Sequence, residues 1–376
     1  MSGSGPVPGH VVAVDLGGTD IKAALVASDG TVTRTERRAT RRERGAQAVV
    51  DTVADTAAAL AAESRARTGR DPLAVGVAVP GLVDTARGVA RYSANLGWRD
   101  LPLRTLLTRR LGLPVALGHD VRAGALAEGR LGAARGRREF LFVALGTGIA
   151  AAHLRDGHVL DGSRESAGEL GHLTVRRGGP RCGCGRRGCL ETLASASAVA
   201  RRYARATGVD TSAERNTVTA EEVCARAGTG EPAARAIWDS AVASLADGLA
   251  AYTVHCDPGT IVIGGGLARA GTALMDPLRS ALAARLAFHR PPELVTAELG
   301  AQAGCRGAAL LALDLTRDGG RSDGGRSVGE WADGERAVGE RADGERADGE
   351  PVEGERADSE RADGRTGRGT SVEAGL

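Results

Sequence analysis

The sequence predicts two α/β domains that face each other across a cleft. Each half of the chain opens in the same way, with a short apolar run, a glycine turn and a second apolar run, and mixed strands and helices follow. The chain has 376 residues, of which 42% are hydrophobic, so it is long enough to build two cores. Strands and helices mixed in this order form layered α/β domains.

The first half predicts an N-terminal domain over residues 11–133. Its short apolar runs end at Gly, Pro or Asp, which is typical of buried strands, whereas Val49, Val53 and Leu60 recur at helical spacing. Strands are predicted at residues 11–14, 21–27, 31–39, 73–79 and 114–117, and helices at residues 46–66, 103–111 and 121–131.

The second half predicts a C-terminal domain over residues 134–316 with the same opening. Strands are predicted at residues 140–145, 149–154 and 260–263. A further strand is predicted directly after the Asp156-Gly157 turn, and another near Leu294. Helices are predicted at residues 232–255, 274–287 and 303–313. The repeated strand, turn and strand indicates two related lobes.

Both ends of the chain are predicted to be disordered. Residues 1–10 are rich in Gly and Pro, and residues 317–376 form a low-complexity tail with a five-residue period. Five residues turn an α-helix by about 500°, so the repeat creates no constant face. The tail has almost no apolar bulk to offset its ordering entropy. A solvated linker is the favoured interpretation, and a segment with its own binding partner is the alternative.

Charge and hydropathy exclude several classes of function. The formal net charge is only +2, and no basic patch is interleaved with aromatic residues, so we expect no nucleic-acid partner. No apolar run reaches about 18 residues, so no membrane span is expected. Residues 1–10 lack the basic and apolar regions of a signal peptide, which predicts a cytoplasmic protein.

Three of the six cysteines lie within eight residues, at Cys182, Cys184 and Cys189. In a cytoplasmic protein, such a cluster indicates a metal rather than a disulfide. His172 is the nearest further ligand, and four protein ligands leave no open position, so the sequence predicts a structural Zn²⁺. A reduced thiol cluster without metal is the alternative.

In each half of the chain, a glycine turn follows the first predicted strand. Backbone N–H groups in such turns can approach a phosphate, and a carboxylate at the strand end can hold Mg²⁺ through water. A plain hairpin turn also favours glycine, so either turn alone is weak support. The candidate nucleotide-binding residues are Asp15, Gly17, Gly18, Thr19, Gly146, Thr147 and Gly148.

Four polar residues could bind or activate the hydroxyl groups of a sugar. Asp120 follows a buried strand, where its carboxylate can accept a proton from a hydroxyl that attacks a phosphate. The competing interpretation of Asp120 is an N-cap of the following helix. Asn95, Glu169 and Glu191 can bind sugar hydroxyls by paired hydrogen bonds, and a solvated surface group is the alternative for each of them taken alone.

The motifs, in this order, resemble those of the ROK family of sugar kinases and repressors, which has the actin/hexokinase-like (ribonuclease H-like) fold. The resemblance covers about residues 11–313. Its most specific part is Glu169-Leu-Gly-His172 followed by the Cys182–Glu191 stretch. The other matching segments are Asp15-Leu-Gly-Gly-Thr19, Asn95-Leu-Gly-Trp98, His119-Asp120, Leu145-Gly-Thr-Gly148 and Ile263-Gly-Gly-Gly-Leu267.

The resemblance implies a role for each matching residue. Asp120 would be the general base on the 6-hydroxyl of a hexose, and Gly265 and Gly266 would form part of the adenosine site. The implied sugar-binding residues are Asn95, His119, Asp120, Glu169, His172 and Glu191. The implied zinc ligands are His172, Cys182, Cys184 and Cys189. ATP, Mg²⁺ and a structural Zn²⁺ are the implied cofactors, and a dimer or tetramer is the implied assembly.

The leading interpretation is an ATP:hexose 6-phosphotransferase with glucose as its first-choice substrate. A kinase for N-acetylglucosamine or N-acetylmannosamine stays open, because the same carboxylates serve both. Three departures from the family pattern motivate a third alternative, a catalytically weak sugar sensor. They are His119 in place of the usual Asn, Asp20 after the first glycine turn, and Ala150-Ala151 after the second.

Overall fold

The computed structural model describes residues 9–209 and 218–319, so the predicted tail from residue 320 and residues 1–8 lie outside the described part. The strands are β1 (His10–Leu16), β2 (Asp20–Ala27), β3 (Val32–Ala39), β4 (Val75–Val79), β5 (Leu82–Asp84), β6 (Val89–Ser93), β7 (Trp98–Leu101), β8 (Val115–His119), β9 (Glu139–Leu145), β10 (Ile149–Arg155), β11 (His158–Val159), β12 (Thr260–Gly264) and β13 (Glu293–Thr296). The helices are α1 (Ala46–Thr68), α2 (Leu103–Leu111), α3 (Asp120–Leu131), α4 (Glu191–Ala194), α5 (Ala196–Thr207), α6 (Ala220–Gly228), α7 (Pro232–Cys256), α8 (Thr272–Ala283) and α9 (Ala303–Gly319).

Two five-stranded sheets have the same topology. The first has the order β3-β2-β1-β4-β8, and the second has the order β11-β10-β9-β12-β13. In each, the opening hairpin is antiparallel and the next strand pairs parallel to its first member. The predicted repeat of strand, turn and strand is therefore confirmed, and each glycine turn lies at the tip of a central hairpin.

Burial explains which apolar runs become central strands. Every residue of β4 and of β12 is buried, as expected for parallel strands that are covered on both faces. Strand β3 lies at an edge, and its sequence Val-Thr-Arg-Thr-Glu-Arg-Arg-Ala is mostly charged or half-exposed. Charged side chains on an edge strand oppose pairing with another chain.

Helix α9 corrects the predicted domain boundary. It was assigned to the C-terminal domain, yet Ala308, Ala309 and Ala312 form a buried cluster with residues of β1, β2 and β4. A Cβ on Gly76 of β4 would collide with the Ala308 carbonyl, so the missing side chain permits this close contact. The C-terminal helix therefore packs on the first sheet, and it extends to Gly319, beyond the predicted boundary at residue 316.

Some elements were not predicted. Strands β5, β6 and β7 form a small antiparallel sheet in the order β5-β6-β7, between β4 and α2. These strands are short and partly exposed, so their periodicity is weak. Among the described residues, none of the helices combines the length and the apolar character that a bilayer crossing requires.

Candidate active site

The first glycine turn, residues 17–19, joins β1 to β2. The Thr40 hydroxyl donates to the Gly17 carbonyl at 2.7 Å, and the Thr40 N–H donates to the Thr19 carbonyl at 2.8 Å. A Cβ built on Gly18 would lie 4.0 Å from Nη1 of Arg42. The turn is therefore anchored by the residue that follows β3, and the Arg42 guanidinium lies close to Gly18.

The second glycine turn, residues 146–148, joins β9 to β10 and contacts the start of α5. The Ala196 N–H donates to the Gly146 carbonyl at 2.9 Å, and the Ser197 hydroxyl donates to the Thr147 carbonyl at 2.5 Å. A Cβ on Gly148 would collide with the Glu191 carboxylate. The absent side chain thus lets a carboxylate lie directly against this turn.

A polar cavity of about 330 Å³ connects the two halves of the chain. Asp15, Lys22 and Asp120 line it from the N-terminal half, and Gly266 and Arg269 line it from the C-terminal half. Asp15 lies opposite Lys22 in the β1–β2 register. Burial raises the pKa of Asp15 to about 6, the negative charge of Asp120 also raises it, and Lys22 lowers it.

A second, more apolar cavity of about 320 Å³ adjoins the first, because Gly266 and Arg269 line both. Cys224 and Trp238 contribute to its walls. The predicted adenosine residue Gly266 therefore lies between the cavities, and Gly265 lines the polar one.

His119 and Asp120 both accept a hydrogen bond from the Val121 N–H at the start of α3. The N-cap of α3 is His119, whose Nδ1 accepts from the Val121 N–H at 3.2 Å, and Asp120 is the first helical residue. Burial raises the pKa of Asp120 to about 7, a backbone hydrogen bond from Val121 opposes this rise, and the charge of Glu169 reinforces it. A carboxyl with a pKa near neutrality suits general base catalysis.

His119 is neutral at pH 7. Burial lowers its pKa to about 4, and the positive charge of Arg122 adds to the lowering. His119 Nδ1 lies 3.2 Å from the Val121 N–H and 3.3 Å from Asp120 Oδ1, and the first of these contacts assigns the ring proton to Nε2. A neutral histidine in this tautomer offers an acceptor to the helix and a donor on its other side, as an asparagine side chain does.

The predicted metal ligands lie together. The ligand atoms of His172, Cys182, Cys184 and Cys189 are all within 4.8 Å of one another. The distance from His172 Nδ1 to Cys182 Sγ is 3.6 Å, and that from Cys184 Sγ to Cys189 Sγ is 3.7 Å. Tetrahedral zinc with ordinary bond lengths separates such atoms by about 3.6 and 3.8 Å, respectively. The cluster therefore fits a tetrahedral zinc ion.

The Cys/His cluster adjoins Glu169 through His172 and is followed closely in sequence by Glu191. Because His172 turns Nδ1 to the cluster, its Nε2 faces outward, 3.9 Å from Oε2 of Glu169. Glu191 begins α4, two residues after Cys189, and its Oε2 accepts from the Ile149 N–H at 3.2 Å. Glu191 thus connects the loop that carries the three clustered cysteines, which we call the metal loop, to the second glycine turn.

Asn95 has no hydrogen bond to this group among the described residues. It is exposed in the turn between β6 and β7, and the described part of the chain provides no side-chain hydrogen bond to it. The geometry brings together Glu169 and His172, and it places Glu169 near enough to Asp120 and His119 to influence the pKa of each. The sugar role of Asn95 stays a prediction.

Two of the three departures have a structural explanation. The Asp20 carboxylate accepts from Arg37 at 2.6 Å and is absent from the described lining of the polar cavity. Ala151 is only 3% exposed and packs in the core behind the second sheet. Ala150 pairs with Ala144, which does line the cavity, so only this methyl group is placed to approach a phosphate.

Sequence reasoning missed several residues of the site. Lys22 carried a signal, because it is the only lysine among the 49 Lys and Arg residues of the chain. Arg122, Glu165 and Arg269 carried none, because arginine is abundant and their partners are distant in sequence. The missed residues are Lys22, Arg42, Arg122, Glu128, Glu165, Ser197 and Arg269.

Glu128 fixes one wall of the polar cavity. It is fully buried on α3, and its carboxylate accepts from the backbone N–H groups of Ala133, Glu298 and Leu299 at 2.9, 3.1 and 2.8 Å. The last two donors precede Ala301, whose carbonyl accepts from Lys22 at 3.1 Å. A buried carboxylate thus holds the segment that orients Lys22.

We expect Glu128→Gln to destabilise the protein. The amide places a donor against backbone donors, so the free energy of unfolding should fall by about 2 kcal/mol. Urea denaturation measures this loss. Glu293→Gln is the matched control, because that side chain is 58% exposed and forms a surface pair with Arg137, and exposed pairs contribute less than about 1 kcal/mol. Equal stability of the two variants would contradict the anchoring role of Glu128.

The chain is similar to known proteins in both sequence and structure. The ROK family model matches residues 11–315. The glucokinase of Thermotoga maritima is 34% identical over 309 residues, which cover 80% of this chain and 96% of that protein. The structure of a ROK hexokinase from Thermus thermophilus is 36% identical, with a TM-score of 0.70, and the match covers 82% of this chain and 99% of the other.

The chain is also similar to a glucokinase whose structure contains ligands. The ROK family glucokinase from Streptomyces griseus, solved with glucose and AMPPNP, is 32% identical with a TM-score of 0.70, and the match covers 81% of this chain and 100% of the other. These similarities confirm the predicted actin/hexokinase-like fold of two α/β lobes. The matched residues contain both sheets, both glycine turns and the Cys/His cluster.

Proposed function

The chain belongs to the ROK family, and from this membership we propose that it transfers the γ-phosphoryl group of ATP to the 6-hydroxyl of a hexose, with glucose as the first-choice substrate. The observation that carries the proposal is the polar cavity, in which Asp120, with a pKa of about 7, lies near Asp15 and Lys22. The glucokinases of similar sequence and structure support the same reaction.

The proposed chemistry assigns one proton transfer to Asp120. Its carboxylate accepts the proton of the sugar 6-hydroxyl as that oxygen forms a bond to the γ-phosphorus. The bond between the γ-phosphorus and the bridging oxygen breaks, and ADP leaves with the electron pair. Because the Val121 N–H already binds Oδ1 of Asp120 at 2.7 Å, one oxygen is fixed and the other is free for the hydroxyl.

The two adjoining cavities provide a path for the nucleotide. The more apolar cavity, with Trp238 in its wall, suits the adenine base, and the polar cavity suits the phosphates. Lys22 and Arg269 line the phosphate end, and Arg42 lies over the first glycine turn. Asp15 would hold Mg²⁺, which neutralises phosphate charge when it is bound.

The sugar end is formed by Glu169, His172, Glu191 and His119, and Asn95 stays a candidate. Neutral His119 would donate from Nε2 where an asparagine would donate from its amide, so a sugar hydroxyl or an acetamido oxygen can be the acceptor. A structural Zn²⁺ held by His172 and the three clustered cysteines would stiffen this region. A dimer or tetramer in the cytoplasm completes the proposal.

The test is ADP release with Mg-ATP across a panel of sugars. Glucose should support turnover. Turnover of N-acetylglucosamine or N-acetylmannosamine in preference to glucose would favour the alternative amino-sugar kinases. Xylose, which lacks a 6-hydroxyl, is the matched negative substrate. Sugar binding without turnover by any member of the panel would refute the kinase and favour a sugar sensor.

A further inference from the structure

One segment of the C-terminal half crosses to the N-terminal half beside the sugar residues. We call it the strap, residues 160–168; it follows β11 and leads directly into Glu169. Its ends are tied to β10, because the Leu160 N–H donates to the His153 carbonyl at 2.8 Å and the Ala151 N–H donates to the Gly168 carbonyl at 2.8 Å. Its middle contacts the other half of the chain.

The first contact runs from Glu165 to the small antiparallel sheet. Oε2 of Glu165 accepts from both the N–H and the hydroxyl of Thr85, at 2.7 and 3.0 Å. Thr85 follows β5 directly, and its carbonyl accepts from Arg104 of α2. The carboxylate therefore holds the strap to a part of the N-terminal half that is itself anchored.

The second contact runs from helix α3 to the strap backbone. Nη2 of Arg122 donates to the carbonyls of Glu165 and Ala167, at 2.7 and 3.2 Å. Arg122 lies two residues after Asp120, on the first turn of the same helix. One guanidinium thus fixes the strap relative to the helix that carries the proposed base.

The backbone of Glu165 shows that these contacts hold an unfavourable conformation. Its φ is +50°, a left-handed conformation that residues with a Cβ rarely adopt because it costs free energy. Such a residue keeps this conformation only where its surroundings enforce it. The surroundings here are the strap's own turn, in which the Glu165 N–H donates to the Gly162 carbonyl at 3.1 Å, together with the hydrogen bonds from Thr85 and Arg122.

We infer that Arg122 and Glu165 are positioning residues, which latch the strap across the cleft and thereby fix Glu169 beside His119 and Asp120. This inference rests on the proposed function, because Glu169 is a sugar-binding residue only there. Neither residue needs to touch the sugar. Loss of the latch should weaken sugar binding while leaving nucleotide binding intact.

The test compares Arg122→Gln with Arg130→Gln. Both arginines lie on α3, and Arg130 forms a surface ion pair with Asp314 at 2.8 Å, so it is a matched control for loss of charge from this helix. We expect the Kd for glucose, measured by calorimetry without nucleotide, to rise about tenfold or more in Arg122→Gln. The KM for ATP should change by less than about twofold. Glu165→Gln should act in the same direction.

A second readout does not depend on kinase activity. Amide hydrogen exchange of peptides covering the strap should accelerate about tenfold in ligand-free Arg122→Gln and stay unchanged in Arg130→Gln. If the unaltered chain neither binds nor phosphorylates any sugar, the proposed function fails. In that case the exchange measurement still tests the latch, and an unchanged exchange rate of the strap in Arg122→Gln would overturn it. If the unaltered chain does bind glucose, an unchanged glucose Kd in Arg122→Gln overturns the positioning role.

Discussion

Asp120→Asn should retain glucose binding and lose nearly all phosphoryl transfer. The amide keeps the size and one acceptor of the carboxylate but cannot take the hydroxyl proton. A positioned general base contributes about 10²–10⁴-fold to a rate, so kcat should fall by that factor. ADP release measures kcat, and calorimetry measures the glucose Kd, which should change only about threefold because the shape of the pocket is preserved.

Asp276→Asn is the matched control for this substitution. Asp276 lies on α8 in a surface pair with Arg279, and its side chain is 62% exposed. Its replacement should leave both kcat and the glucose Kd unchanged. Substantial turnover by Asp120→Asn, within about tenfold of the unaltered chain, would remove Asp120 from the role of base.

The raised pKa of Asp120 adds a pH signature to the same experiment. Below a pKa of about 7 the carboxyl holds its proton and cannot act as a base, so kcat/KM should rise with pH through about 7 and then level off. The residual activity of Asp120→Asn should lack this rise. A flat profile for the unaltered chain would show that Asp120 does not limit the reaction.

Stability should respond to pH in the opposite sense. The pKa of Asp120 is about 7 in the folded chain against 3.8 as a free side chain, so between these pH values the folded state binds more protons than the unfolded state. The contribution of Asp120 to the free energy of unfolding therefore decreases as pH rises through this window. Asp120→Asn should gain stability relative to the unaltered chain between pH 5 and pH 8, which is the expected consequence of burying a catalytic carboxylate.

The elements that carry the site were predictable because their signals are local. Each of the two hairpins, with its apolar strands and glycine tip, is recognisable within about twenty residues of sequence. The Cys-x-Cys cluster is recognisable within eight residues. The structure confirms that each half opens with such a hairpin and that the four predicted metal ligands lie together. Periodicity and spacing within a short window are enough for features of this kind.

The parts that were not predictable depend on contacts between distant residues. In sequence, helix α9 does not differ from the other helices of the second half. It packs on the first sheet because α9 has an alanine-rich face and because Gly76 of β4 has no side chain to block the contact. Arg122 and Glu128 resemble ordinary surface residues of an amphipathic helix. Their partners lie 43 and 170 residues away, so no local pattern distinguishes them.

For Asp120, the position was predictable from the sequence but the role was not. The sequence placed it at the end of a buried strand, where the residue alone favoured an N-cap and left a general base as the alternative. In the structure His119 holds the N-cap position, the Val121 N–H donates to both His119 Nδ1 and Asp120 Oδ1, and the Asp120 carboxylate also lines the polar cavity. The histidine that departs from the family pattern thus preserves the capping hydrogen bond and stays uncharged.

Cys189→Ser should abolish metal binding and weaken sugar binding together. Cys189 is fully buried, and its Sγ lies 3.7 Å from that of Cys184, so a serine oxygen, which is a poorer ligand on a shorter bond, leaves the tetrahedron open. Elemental analysis should find about one zinc per unaltered chain and almost none in the variant. The glucose Kd should rise about tenfold or more, because ligands orient the residues beside them.

The reason for the coupled loss is the double position of His172. Its Nδ1 lies 3.6 Å from Cys182 Sγ, in the cluster, and its Nε2 lies 3.9 Å from Glu169 Oε2, at the sugar end. Cys256→Ser is the matched control, because that cysteine is half-buried at the end of α7 and lies outside the cluster. A Cys189→Ser protein that lacks zinc but binds glucose with unchanged affinity would show that the metal loop supports folding alone, and that Glu169 and His172 are held in place by the strap rather than by the ion.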